Sequence, residues 1–181
     1  MAEDTFDRTL RWMTENLNGA YSAKHPEGHP HAGDHCTNSG TCIIVCSYIN
    51  ALGKVLYKGG PLSYRGRDFA RFQKFLRLCM SDFLSESNTL VLPPTPKGNV
   101  GGEYWLYEVY RCGFIHGFYP GANVAWGRKI KSNRYWFTHR GRLTLNIDEL
   151  VRGFGRGIDE FRRLANVDIE LRSRFREYLI A

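Results

Sequence analysis

The 181-residue chain is 43% hydrophobic with a formal net charge of +7, a balance that excludes wholesale disorder and supports one globular domain with an ample core. Its longest strongly apolar run, Cys42 to Leu56, is interrupted by Ser47, Asn50, Gly53 and Lys54, which makes it too short and too polar to span a bilayer. The first residues are acidic, no apolar leader follows, and the five cysteines are odd in number; the expectation is a cytoplasmic protein with reduced thiols and no membrane partner.

Thr5 to Leu17 reads as an amphipathic helix, with Phe6, Leu10, Met13 and Leu17 on one face. Asn18 to Gly40 is polar and rich in Gly, Pro and His, and residues 1–40 form an N-terminal helix and loop ahead of a helical core over 41–181. Thr41 to Tyr57 is apolar almost all round, as a central buried helix would be, and Lys58-Gly59-Gly60-Pro61 ends it. Arg65 to Ser85 predicts one long helix, with Phe69, Phe72, Leu76, Cys79, Met80 and Phe83 inward and Arg67, Arg71 and Lys74 on another face. Pro93, Pro94, Pro96, Gly98, Gly101 and Gly102 mark a loop before a fourth helix over about Glu103 to Gly117. Arg134 to Thr138 and Arg142 to Asn146 flank His139-Arg140-Gly141 and predict a small β-hairpin. Asn146 and Glu149 have the spacing of a capping box opening the next helix, whose inner stripe runs from Ile147 to Leu164. Glu149, Arg152, Arg156, Glu160 and Arg163 recur at i+3 and i+4 as a salt-bridged solvent face, and Asp168 to Leu179 is a last short helix.

Charge is unevenly placed. From Val109 to Ile147 there is no Asp or Glu, yet Arg111, Arg128, Lys129, Lys131, Arg134, Arg140 and Arg142 all fall there; the other 18 basic and 18 acidic residues cancel. A local cationic field favours polyanions, so Arg128, Lys129, Lys131, Arg134, Arg140 and Arg142 are the candidate RNA-binding residues. Trp126, Tyr135, Trp136 and Phe137 interleave with them and could stack on bases. Strand alternation would send Tyr135 and Phe137 to one face and Trp136 to the other, with at least one face in the core.

The fourth helix contains Arg111-Cys112-Gly113-Phe114-Ile115-His116. This spacing of Arg and His, late in the chain after long helices and a Pro/Gly loop, resembles the Arg-x(4–6)-His signature of HEPN domains, over roughly residues 41 to 165. The resemblance implies an all-α bundle of five or six helices, here with one small β-hairpin, forming a homodimer. It implies a ribonuclease with Arg111 and His116 as catalytic residues, of the kind found in toxin–antitoxin and phage-defence systems, with an antitoxin or other regulatory partner. Cys112 stands where many active members carry Asn, Asp or His.

The residues themselves are suited to that chemistry. His can act as acid or base near neutrality, and Arg can hold two phosphoryl oxygens, so cleavage to a 2′,3′-cyclic phosphate and a 5′-hydroxyl needs neither metal nor cofactor. Positions five apart on a helix lie about 140° apart, so one chain does not bring both side chains to one face; a two-fold axis would. Gly113 would permit close helix approach there. Two alternatives are a non-catalytic HEPN-like module binding nucleotide, RNA or a partner protein, and a zinc-stabilised interaction domain. The second rests on His25, His29, His31, His35, Cys36 and Cys42, whose spacing fits no common zinc module. Cys42 and Cys46, four apart in an apolar helix, read as core residues.

Overall fold

The computed structural model describes residues 4–24, 27, 38–58, 68–92, 101–108, 125–129 and 131–180. Helix α1 (Thr5–Ser22) starts where the Asp4 carboxylate accepts the Phe6 N–H, and it buries Phe6, Leu10, Met13 and Leu17, as their spacing requires. Helix α2 (Asn38–Leu56) buries Cys42, Val45, Cys46, Ile49, Leu52 and Val55 and packs against α1 and α3 (Asp68–Cys79). Beginning at Asn38 rather than Thr41, α2 reaches 19 residues and is long and apolar enough to cross a membrane by length and composition alone. Its apolarity has a simpler cause in this fold, because it is surrounded by α1, α3 and the last two helices. At Gly53 the α2 backbone meets α3 so closely that an added Cβ would lie 2.0 Å from the Arg71 carbonyl oxygen.

The long helix expected over Arg65 to Ser85 is two helices in its described part. Met80 leaves helical geometry at φ −135° and ψ 46°, and α4 (Ser81–Ser87) begins at the next residue. Arg71 does not join a solvent face with Lys74: it is only 5% exposed. Of the fourth predicted helix, α5 (Gly102–Trp105) is described, widening into a π-turn over 106–108.

The hairpin expected near 134–146 is present and belongs to a larger sheet. Strands β1 (Ala125–Gly127), β2 (Trp136–His139) and β3 (Arg142–Asn146) are ordered β1-β3-β2, with β1 parallel and β2 antiparallel to β3. The turn residues Arg140 (φ 51°) and Gly141 (φ 74°) both have positive φ, the two-residue turn whose twist suits a hairpin. Helix α6 (Ile147–Val167) follows directly, with Leu150, Phe154, Ile158 and Phe161 buried, and α7 (Ile169–Ile180) adds Leu171 and Phe175 to the same core. The fold is therefore mainly helical with a small three-stranded sheet, and the sheet meets the core through Tyr135, Trp136 and Leu145.

Candidate nucleic-acid interface

Register decides which side chains share a face of the sheet. Phe137, Thr144 and Ala125 form one row across it; Trp136, Leu145 and Trp126 form the next. The second row faces inward: Trp136 and Leu145 are buried, and Trp126 is partly buried against them. Trp136 packs on Trp105 at 5.0 Å, and its indole N–H donates to the Ser87 hydroxyl at 2.9 Å. Tyr135 does not share the face of Phe137 as alternation predicts. It precedes the strand and turns inward, edge-on to Phe83 at 5.2 Å. Of the four aromatics expected to interleave with the cations, Phe137 alone is both outside the inward row and half-exposed.

The opposite row makes a shallow basic face. Ala125, Trp126, Gly127, Arg128, Phe137, His139 and Thr144 line a hollow of about 270 Å³, so Trp126, partly buried against the core, also reaches its edge. A second hollow of about 370 Å³ adjoins it, sharing Ala125 and His139 and continuing over Arg140 and Arg142. The Phe137 ring lies over Gly127, where an added Cβ would come within 3.4 Å of its Cζ. The Lys129 ammonium stands 5.3 Å from the centre of that ring.

The six predicted RNA-binding cations separate into three groups. Arg128 is turned inward: its Nε donates to Asn38 at 2.7 Å, one terminal nitrogen donates to the Tyr21 carbonyl at 2.7 Å, and the guanidinium stacks on the Tyr21 ring at 4.1 Å. Its other terminal nitrogen is buried with no partner among the described residues. Arg134 is exposed but pairs with Glu86 at 3.4 Å. Lys129, Lys131, Arg140 and Arg142 are exposed and make no ion pair among the described residues. Arg111, His116, Cys112 and Gly113 lie outside the described residues, as do His25, His29, His31, His35 and Cys36. Cys42, the remaining member of the sulfur and imidazole cluster, is fully buried, and burial, with Cys46 alongside, pushes its thiol well up. That disfavours the thiolate a zinc site needs. Among the described residues no group of three potential metal ligands comes together.

What fixes the sheet is a set of acids on α4 and α6. Glu86 accepts the backbone N–H groups of Tyr135 (3.0 Å) and Trp136 (3.1 Å), satisfying two donors that sheet pairing leaves free. Asp82 accepts from the Tyr135 hydroxyl at 2.9 Å and from Arg156 at 2.7 Å, and Arg156 also reaches Glu149 at 2.7 Å. Glu149 is only 2% exposed, so it is the buried anchor of Arg152 and Arg156 rather than part of a solvent face. Burial alone would raise the Asp82 pKa, but hydrogen bonds from Arg156, Tyr135 and the Phe83 N–H outweigh it and hold the carboxyl below its ordinary value. Burial, then the Asp82 charge, pushes the Tyr135 phenol up. Asn146 does not cap α6 with its side chain, and the expected capping box with Glu149 is absent. Fully buried, Asn146 accepts from the Lys129 N–H and donates to the Lys129 and Arg134 carbonyls, pinning both of those residues to the sheet. No protein-family model, curated protein or solved structure matches the chain.

Proposed function

We propose that the protein is an RNA-binding, HEPN-like endoribonuclease of the cytoplasm that needs no metal and acts as a homodimer. The observation that carries RNA binding is that Lys129, Lys131, Arg140 and Arg142 are exposed and make no ion pair among the described residues, while the acids nearest the sheet are spent on other groups. Cations left without carboxylates attract phosphates, and the affinity so gained falls steeply with salt. The cleavage step rests on the resemblance of the Arg111–His116 segment. There His116 would move the 2′-hydroxyl proton, and Arg111 would stabilise charge on the phosphoryl oxygens as the cyclic phosphate forms and the 5′-oxygen leaves.

The test is a gel assay of mixed RNA with wild type, His116→Ala and Arg111→Ala. Either substitution should slow cleavage by roughly 100-fold or more, the scale of a lost proton-transfer catalyst. EDTA should leave the rate unchanged, and a 2′-deoxy substitution at the cut site should block it. Cleavage that survives the deoxy substitution, or stops on chelation, would refute this mechanism. Binding without cleavage in wild type would instead establish the non-catalytic module, the reading that Cys112 favours.

A further inference from the structure

The two adjoining hollows differ in chemistry, and the difference has the form of a nucleotide. The first, about 270 Å³, has the half-exposed Phe137 ring over a floor of Gly127 and Thr144, with Trp126 also at its edge. That volume is below the roughly 300–1,000 Å³ of sites that hold drug-sized ligands, so it suits one planar base and not two. The second is rimmed by Arg140 and Arg142, which make no ion pair among the described residues, and it suits a phosphate. His139 and Ala125 line both, so the two compartments are a single trough. Lys129 already holds a cation against the ring of Phe137, which marks that ring as reachable by a charged, solvated group.

We infer that this trough binds one unpaired nucleotide of a strand, its base stacked on Phe137 and its phosphate held by Arg140 and Arg142, so that the substrate is single-stranded RNA. Lys129 then moves from the ring to a neighbouring phosphate as the base takes its place. In a duplex the bases are stacked on one another and paired, and the face of a base is not offered to a protein ring. Stacking tolerates any base, so the trough selects for strandedness and not for sequence. The inference rests on the proposed RNA binding for the identity of the polymer, and on the trough alone for its single-strandedness.

The experiment is fluorescence anisotropy on the full chain carrying His116→Ala, with a labelled unstructured 12-nucleotide RNA, a blunt duplex of equal length, and uridine monophosphate as competitor. Single-stranded RNA should bind more tightly than duplex. Phe137→Leu should weaken it by roughly 5- to 150-fold, the equivalent of about 1–3 kcal/mol for one stacked base, and Phe137→Trp should restore it. Arg140→Asn, which tolerates the positive φ at that turn, and Arg142→Thr, which suits a strand, should each lower the salt slope by about 0.7. Neither residue is buried, so these variants test the trough even if Phe137→Leu unfolds. Equal binding of duplex, unchanged affinity in Phe137→Leu, or a mononucleotide that competes as well as the 12-mer would overturn the inference. Failure of the nuclease reading looks different: no His116-dependent cleavage, with Phe137-dependent binding intact.

Discussion

Gly153 and Gly155 lie two residues apart in α6, and the structure gives their replacement by alanine opposite signs. A Cβ on Gly153 would stand 2.0 Å from the Tyr135 hydroxyl oxygen and 2.7 Å from two ring carbons; a Cβ on Gly155 would meet nothing within 4 Å. Tyr135 has little room to yield, being 2% exposed, edge-on to Phe83 and hydrogen-bonded to Asp82 and Arg156. Overpacking a core typically costs about 1–3 kcal/mol. Displacing the hydroxyl from a charged partner costs a further ~1.5–3 kcal/mol. Removing a helical glycine returns about 1 kcal/mol. Gly153→Ala should therefore destabilise by about 1.5–5 kcal/mol, while Gly155→Ala should stabilise by up to about 1 kcal/mol. Urea unfolding of the two variants reads this directly, as midpoint shifts in opposite directions at constant m-value. Tyr135→Phe in the Gly153→Ala background should recover part of the loss, since it removes the nearest atom but leaves the ring. If both alanines stabilise equally, Tyr135 is not seated against α6 and the anchoring of the sheet described above is wrong.

Glu86→Gln should leave one of the Tyr135 and Trp136 amides facing a donor, costing about 1–3 kcal/mol, with faster hydrogen exchange at those two amides as the specific sign. Because Asp82 is held below its ordinary pKa in the folded protein, it contributes stability above the unfolded value of about 3.9 that is lost as pH falls through the folded one. Asp82→Asn should accordingly show a shallower loss of stability below about pH 4, and an identical acid profile would exclude Asp82 as a contributor. Arg128→Ala should lower stability by about 1–3 kcal/mol, because it removes two hydrogen bonds and a ring stack. Lys131→Ala should leave stability within about 0.5 kcal/mol and lower the salt slope of RNA binding by about 0.7. The reverse pattern would exchange their roles.

Local pattern carried the helices and failed where partners are far apart in sequence. The inward stripes of α1, α2 and α6 follow from apolar residues at helical spacing, which any packed helix must satisfy. The hairpin followed from strand residues around a glycine turn. The break at Met80 left no sign, since neither proline nor glycine marks it and the apolar spacing runs through. Strand β1 is three residues long and pairs in parallel with β3, and its Ala-Trp-Gly carries no alternation to reveal it. Asn146 and Glu149 had a capping-box spacing, but the spacing cannot say that both side chains are drawn into the interior by Lys129, Arg134, Arg152 and Arg156.

The same limit applies to charge, and there it sharpens the site. An acid-free segment looks uniformly cationic only while its partners are sought nearby in the chain. Arg128 finds the Tyr21 carbonyl 107 residues away, and Arg134 finds Glu86 at a separation of 48. Subtracting these two leaves Lys129, Lys131, Arg140 and Arg142, and two of the four rim the trough beside Phe137 while a third caps its ring. The residue that cancels Arg134 also holds the sheet: Glu86 binds Arg134 and two backbone amides at once. Folding thus directs carboxylates to the inner edge of the hairpin and leaves its turn and outer row basic. A cation that survives this subtraction is a better candidate for binding phosphate than one chosen by sequence density alone. By that criterion the candidate interface narrows to the Arg140–Gly141 turn and the Phe137 row, and no longer spans the whole acid-free segment.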